Sequence, residues 1–155
     1  STQSNKRSVM MDLNQALTLP GDGTICTCAA IFKDGKLLVG LRHYGTKWAG
    51  ELEISSLWVT PGGRSDAGET VETCLRREVQ EETGITDLNI IGFLGEIPGA
   101  RSPDRLFIFL CTSEEDPLVM ESDKFEEWRW CVLEEVPDPF INPLALALIR
   151  EKGRS

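Results

Sequence analysis

The chain has 155 residues, 41% of them hydrophobic and 26% charged, which is the size and composition of one globular domain with an ordinary core. Its formal net charge of −9 argues against a protein that grips nucleic acid through a broad basic surface, because phosphate neutralisation supplies most of that binding. Cys26, Cys28, Cys74, Cys111 and Cys131 form no CxxC pair, and the single histidine, His43, leaves no multi-histidine metal site and only one residue on which a Ser-His-Asp triad could rest.

The cysteines read as reduced thiols, and no apolar run approaches the roughly 18 residues that would span a bilayer, so a soluble, cytoplasmic protein without a membrane partner is expected. Residues 1–19 are polar and aperiodic before Pro20-Gly21 and read as an N-terminal arm, with residues 20–155 as one domain. Thr24 to Phe32 is rich in β-formers, Asp34-Gly35 is a turn signal and Leu37 to Leu41 is apolar, which predicts a β-hairpin. Arg42 to Ser56 lacks a clear period and reads as a loop beside a site, carrying Arg42, His43, Tyr44 and Trp48 as candidate base or phosphate contacts. Leu57 to Thr60 is a short strand candidate that stops at Pro61-Gly62-Gly63, where two glycines permit close backbone approach.

A helix is predicted from the N-cap Thr70 to Thr83, with Gly84 as its left-handed stop. Strands follow near Leu88 to Glu96, Leu106 to Thr112 and Trp128 to Leu133, and a last helix opens at Asn142-Pro143 and ends at Gly153. Phe107 and Phe109 read as core or pocket wall, and Trp128 and Trp130, two apart on a strand, share one face, where they serve either the core or base stacking. Strands on both sides of a central helix imply a mixed α/β or α+β layer fold.

The central helix carries the chemistry. At about 100° per residue, Val71, Cys74, Leu75 and Val79 define its buried stripe, and Glu72, Thr73, Arg76, Gln80 and Thr83 its outward face. Glu78 and Glu82 fall inside the apolar stripe and Glu81 borders it. Three carboxylates so placed repel one another, face the negative end of the helix dipole and pay for desolvation. A divalent cation removes all three objections; a cluster paired with Arg77 or other cations is the alternative.

Gly63, Glu69, Arg77-Glu78-Val79, Glu81-Glu82 and Gly84-Ile85, at these separations, resemble a complete Nudix box. That resemblance implies a Nudix-like α/β/α sandwich with a mixed central sheet, spanning residues 20–155, and hydrolysis of a nucleoside diphosphate linked to another group with Mg²⁺ or Mn²⁺. It implies Glu78 and Glu82 as principal metal ligands, Glu81 as a ligand or a positioner of metal-bound water, and Gly63 at the metal. Arg77 would hold Glu78, Glu69 would lock the loop to the helix, and Gly62 would bring backbone close to metal or phosphate. The general base is Glu78 or an acidic residue of Glu121-Ser122-Asp123-Lys124-Phe125-Glu126-Glu127.

Outside the box, the one tyrosine, Tyr44, lies upstream, a coenzyme A pattern is absent, and Pro98 and Pro103 lack the spacing of ADP-ribose hydrolases. Glu127-Trp128-Arg129-Trp130 followed by Leu133 to Pro137 resembles members that act on nucleoside triphosphates. The expected reaction is therefore (d)NTP to (d)NMP plus pyrophosphate on a small nucleotide, with Arg42, Tyr44, Trp48 and Trp128 as substrate contacts, in a monomer or homodimer. Nucleotide sugars, ADP-ribose-like compounds, the 5′ triphosphate of RNA, and a non-catalytic nucleotide sensor are the alternatives.

Overall fold

The computed structural model of the chain describes residues 11–48 and 51–153, without the side chains of 46–48 and 51–54. Its elements are α1 (Leu13–Thr18), β1 (Ile25–Lys33), β2 (Lys36–Trp48), β3 (Glu51–Val59), α2 (Val71–Thr83), β4 (Asn89–Pro98), β5 (Arg105–Thr112), β6 (Phe125–Cys131) and α3 (Pro143–Lys152). Among the described residues the strands form one six-stranded sheet in the order β3-β2-β1-β5-β4, with β6 on β2. Only β1 and β5 run parallel, so the sheet is mixed.

Alternation along the central strands sends side chains into two cores. Ala29, Ile31, Leu38, Phe107 and Phe109 join Val71, Leu75 and Val79 of α2 on one face, while Cys28, Ala30, Leu37, Val39 and Ile108 join Ala145, Leu146 and Ile149 of α3 on the other. The result is the α/β/α sandwich, and both phenylalanines of β5 are core.

The β1-β2 hairpin turns at Asp34-Gly35, where both residues have positive φ (51° and 76°), the geometry that matches the twist of the paired strands. Beyond it, Leu37 pairs with both Phe32 and Cys131, and Gly40 with both Val59 and Trp128. The β2 edge opposite β6 is thus shared, by β1 at its start and β3 further on. Past the end of β3 the chain continues alongside β1: Ala29 N–H donates to Pro61 O and Thr27 N–H to Gly63 O, each at 2.8 Å, and Ser65 N–H returns to Ile25 O. This places Gly62 and Gly63 beside α2.

Three expectations are corrected. Arg42 to Ser56 is mostly strand, not loop, because β2 and β3 pair in register from Gly40↔Val59 to Trp48↔Glu51; Arg42, His43 and Tyr44 are all half-buried, so no apolar alternation betrayed the strand. Thr83 is fully buried rather than outward-facing, its hydroxyl bonded to Val79 O and accepting from Ile85 N–H. Of the stretch read as an arm, residues 1–10 lie outside the described residues and residues 11–19 are packed structure: Asp12 and Gln15 form a reciprocal capping box on α1, and Ala16 is buried against the α2 side of the sheet. The stretch after α1 clamps the start of α2, with Val71 N–H donating to Leu19 O and Gly68 N–H to Gly21 O.

Candidate active site

Helix α2 begins at Thr70, whose hydroxyl accepts from Thr73 N–H, and stops at Gly84 in the left-handed conformation (φ 77°), its N–H closing on Gln80 O. Val71, Cys74, Leu75 and Val79 are buried as the wheel requires. The carboxylates follow the wheel too: Glu82 is 5% exposed, Glu78 is half-buried, and the Glu81 side chain is 48% exposed. The buried Glu82 carboxylate accepts from Gly62 N–H at 3.0 Å. Burial, opposed by that hydrogen bond, pushes its pKa up to about 8. Burial likewise raises Glu78, against the pull of Arg77.

The two glycines are fixed by contact. A Cβ on Gly62 (φ 155°) would collide with the Thr27 carbonyl, and one on Gly63 with the Glu78 carboxylate. Gly63 O accepts from Thr27 N–H at 2.8 Å and from the Thr27 hydroxyl at 3.1 Å. Its carbonyl is therefore committed to β1. Its missing side chain is what admits the Glu78 carboxylate.

Arg77 is the hub of the cluster. Its guanidinium makes a bidentate pair with Glu69 (2.7 and 2.9 Å) and reaches Glu78 at 2.9 Å and Glu81 at 2.8 Å through Nη1. The Glu69 carboxylate also accepts from Asp66 N–H at 2.9 Å, so it ties the loop to the helix through both the arginine and a backbone amide. Arg77 holds Glu69 well below the usual carboxylate range, at about 2.

The last turn of α2 is pinned from outside. Leu118 N–H donates to Thr83 O, and the Trp128 indole N–H to Glu82 O at 3.1 Å. The Trp128 ring lies 4.7 Å from that of Phe125 and 2.5 Å from where a Gly40 Cβ would stand. Trp128, expected as a substrate contact, also caps and walls the helix end, and β6 starts at Phe125, three residues earlier than predicted. Trp128 and Trp130 do share a face, both against the α2-side core.

Of the four acidic candidates in the later loop, Glu121 adds a like charge that helps raise both Glu78 and Glu82. Arg42 also acts on Glu82; its guanidinium lies over Tyr44 (4.9 Å) and Phe125 (5.6 Å), and its Nε is buried without a hydrogen-bond partner. His43 is instead bonded to Ser56 across the β2-β3 pair at 2.8 Å, and the Trp48 side chain lies outside the described residues.

The NUDIX domain family profile matches residues 24–151. The chain belongs to the Nudix hydrolases. It is 30% identical over 125 residues to the RNA pyrophosphohydrolase of Caulobacter vibrioides (strain NA1000), covering 68% of this chain and 69% of that protein. It is 28% identical over 113 residues to the NAD-capped RNA hydrolase NudC of Vibrio atlanticus, covering 73% of this chain and 39% of that one. Among solved structures, a MutT Nudix hydrolase from Burkholderia pseudomallei superposes with a TM-score of 0.59 at 26% identity, over 81% of this chain and 97% of that chain. An ADP-ribose pyrophosphatase from Streptococcus suis reaches 0.65 at 22% identity over 86% and 94%, a likeness of fold.

Nudix hydrolases generally use divalent cations, and the residues here fit one: the donors are carboxylate oxygens, suited to hard ions, and Glu82 is a buried acid whose charge a cation would stabilise. Among the described residues no three such groups already form a cage. An incoming ion would compete with Arg77 for Glu78 and Glu81. The sequence reading missed the outer supports of this Nudix site, Thr27 beneath Gly63 and the Trp128 cap. Period-2 placement on β1 and the indole beside Gly40 on a paired strand were the available signals.

Proposed function

We propose that this Nudix hydrolase converts a nucleoside or deoxynucleoside triphosphate to the monophosphate and pyrophosphate, by attack of water on phosphorus with Mg²⁺ or Mn²⁺. The observation that carries the reading is the buried Glu82 carboxylate on Gly62 N–H, beside a Glu78 packed over Gly63 and facing the Glu121 charge. Glu78, Glu82 and Glu81 would hold the ion, which supplies neutralisation of phosphate oxygens as charge builds on the leaving group.

The remaining roles belong to the chain's own side chains. Glu78 takes the proton of the attacking water, and Arg77 keeps it oriented. Glu121 is the alternative base. Arg42, with an unpartnered Nε beside Glu82, is suited to a substrate phosphate once the ion offsets the acids, and Tyr44 to orienting that arginine.

A second reading has a specific support: relatives at 30% identity are named RNA pyrophosphohydrolases. The 5′ triphosphate of RNA presents the same bonds to the same groups, and the net charge of −9 weighs against a long RNA track rather than against its end. Intact box glutamates oppose a non-catalytic sensor. The test is turnover with Mg²⁺ or Mn²⁺ across nucleoside triphosphates, nucleotide sugars, ADP-ribose and 5′-triphosphate RNA, with products identified. Pyrophosphate release from triphosphates, lost at least a hundredfold in Glu82→Gln, is expected; equal turnover by that variant overturns the reading.

A further inference from the structure

Glu121 comes from neither α2 nor β2; it sits at the end of an irregular run that leaves β5 at Thr112, directly after Leu118 and Met120, whose side chains lie against Gly84 at the end of α2. Nothing in residues 113–120 is strand or helix, and Leu118, Val119 and Met120 are 64%, 41% and 54% exposed. Such a segment gains little from burial beyond Ser113 and the contacts of Leu118 and Met120 with Gly84, so directed bonds carry much of its placement; Glu121 O is tied forward to Lys124 and Phe125 N–H, and the run before it is tied backward.

Those bonds converge on the turn that follows α2. Glu115 Oε1 accepts from Thr86 N–H at 2.7 Å, Asp87 N–H at 2.8 Å and the Thr86 hydroxyl at 3.1 Å. In return, Asp87 Oδ1 accepts from the Ser113 hydroxyl at 2.5 Å and Asp87 Oδ2 from Glu114 N–H at 2.9 Å. Ser113 Oγ also accepts from Glu115 N–H at 3.0 Å. Two carboxylates, each serving the backbone of the other's segment, thus fasten 113–115 to 86–87. One step further on, Leu118 N–H donates to Thr83 O at the end of α2. Asp116 adds a side tie to Lys33 (2.8 Å) and to the Trp130 indole (3.2 Å).

We propose that the Asp87–Glu115 latch is a positioning device, which fixes the run leading to Glu121 against the end of α2 and so sets Glu121 relative to Glu78 and Glu82. This rests on the catalytic reading above. Asp87 and Glu115 touch neither substrate nor reacting atoms; they act through the placement of Glu121.

The atoms make the test asymmetric. Glu115 Oε1 meets all three donors, with Oε2 only a 3.4 Å second contact of the Thr86 hydroxyl, so Glu115→Gln can keep them with its amide oxygen, whereas Glu115→Ala loses all three. Asp87 uses both oxygens, and Asp87→Asn can keep both ties, its amide oxygen accepting from Glu114 N–H and its NH₂ donating to the Ser113 hydroxyl, whereas Asp87→Ala loses both. With the best triphosphate from the substrate panel, Glu115→Ala and Asp87→Ala are expected to lower kcat at least tenfold with KM within about twofold, and Glu115→Gln and Asp87→Asn to stay within about twofold on both. In a Glu121→Gln background, Glu115→Ala should lower kcat no further, because the group it places is already gone. Far-ultraviolet circular dichroism and thermal unfolding show that each variant is folded at the assay temperature.

If Glu115→Ala retains wild-type kcat, or multiplies the Glu121→Gln loss instead of being absorbed by it, the latch only stabilises the loop and the proposal is overturned. If Glu82→Gln turns over as fast as wild type in the same series, it is the catalytic reading that has failed.

Discussion

Arg77 and Glu82 meet opposite electrostatic problems within two turns of one helix. Arg77 is surrounded by acceptors: Glu69, Glu78 and Glu81 all lie within 2.9 Å of its guanidinium nitrogens, so its charge is more than matched. Glu82 is buried with a backbone amide in contact and other acids nearby, so its charge is under-matched. Glu69 has the clearest pH consequence. Its folded-state pKa, about 2 against an ordinary 4.5, means that the fold binds the ionised form, so its stabilisation is fully present above about pH 4.5 and is lost as the pH falls through 2. Glu69→Gln should therefore cost about 1.5–3 kcal/mol near pH 7, the scale of a hydrogen bond to a charged group, and only a small remnant of that near pH 2. Denaturant unfolding at a series of pH values checks this; a difference that persists unchanged at pH 2 would assign Glu69 a role other than pairing with Arg77.

At the scale of elements, α2 was legible because three independent signals agree on it: a threonine cap, a periodic apolar stripe and a glycine stop, all of them local. The hairpin at Asp34-Gly35 and the tail helix behind Asn142-Pro143 were legible for the same reason. The long β2-β3 pair was not, because both faces of residues 42–44 are half-exposed and carry arginine, histidine and tyrosine, which leaves no period to read. Nor could a helical wheel show that Thr83 is buried, since the chain that bonds its carbonyl, at Leu118, lies thirty-five residues downstream. Trp128 is the instructive middle case: its face was readable, its partner was not. If the indole caps Glu82 O, Trp128→Phe keeps the ring and leaves a carbonyl unpaired, which costs about 1–3 kcal/mol of stability with KM essentially unchanged. A rise in KM without loss of stability would restore Trp128 to the substrate.

The molecule as a whole folds around a strained charge distribution. It has 25 acidic and 16 basic residues, and its site adds Glu78, Glu81, Glu82 and Glu121 to one end of one helix, where the macrodipole is also negative. Without a cation, Glu82 titrates in the fold near pH 8 instead of 4.5, so the folded state binds the proton more tightly and its stability falls as the pH rises from about 4.5 to 8. A bound cation offsets that loss, and it must displace the proton to do so below pH 8. The expected outcome is a stabilisation by Mg²⁺ or Mn²⁺ that is largest at pH 8 and above and fades toward pH 5. At a hundredfold excess over Kd it amounts to about 2.7 kcal/mol, or roughly 5–10 °C in Tm for a chain of this length. Glu82→Gln should raise the metal-free Tm at pH 8 and abolish the response to the ion, because it removes the buried charge and a ligand together. Differential scanning calorimetry with chelator and with each ion, at pH 5 and pH 8, measures both effects. A wild-type Tm that neither ion moves at pH 8 would mean that the α2 acids are held by Arg77 alone.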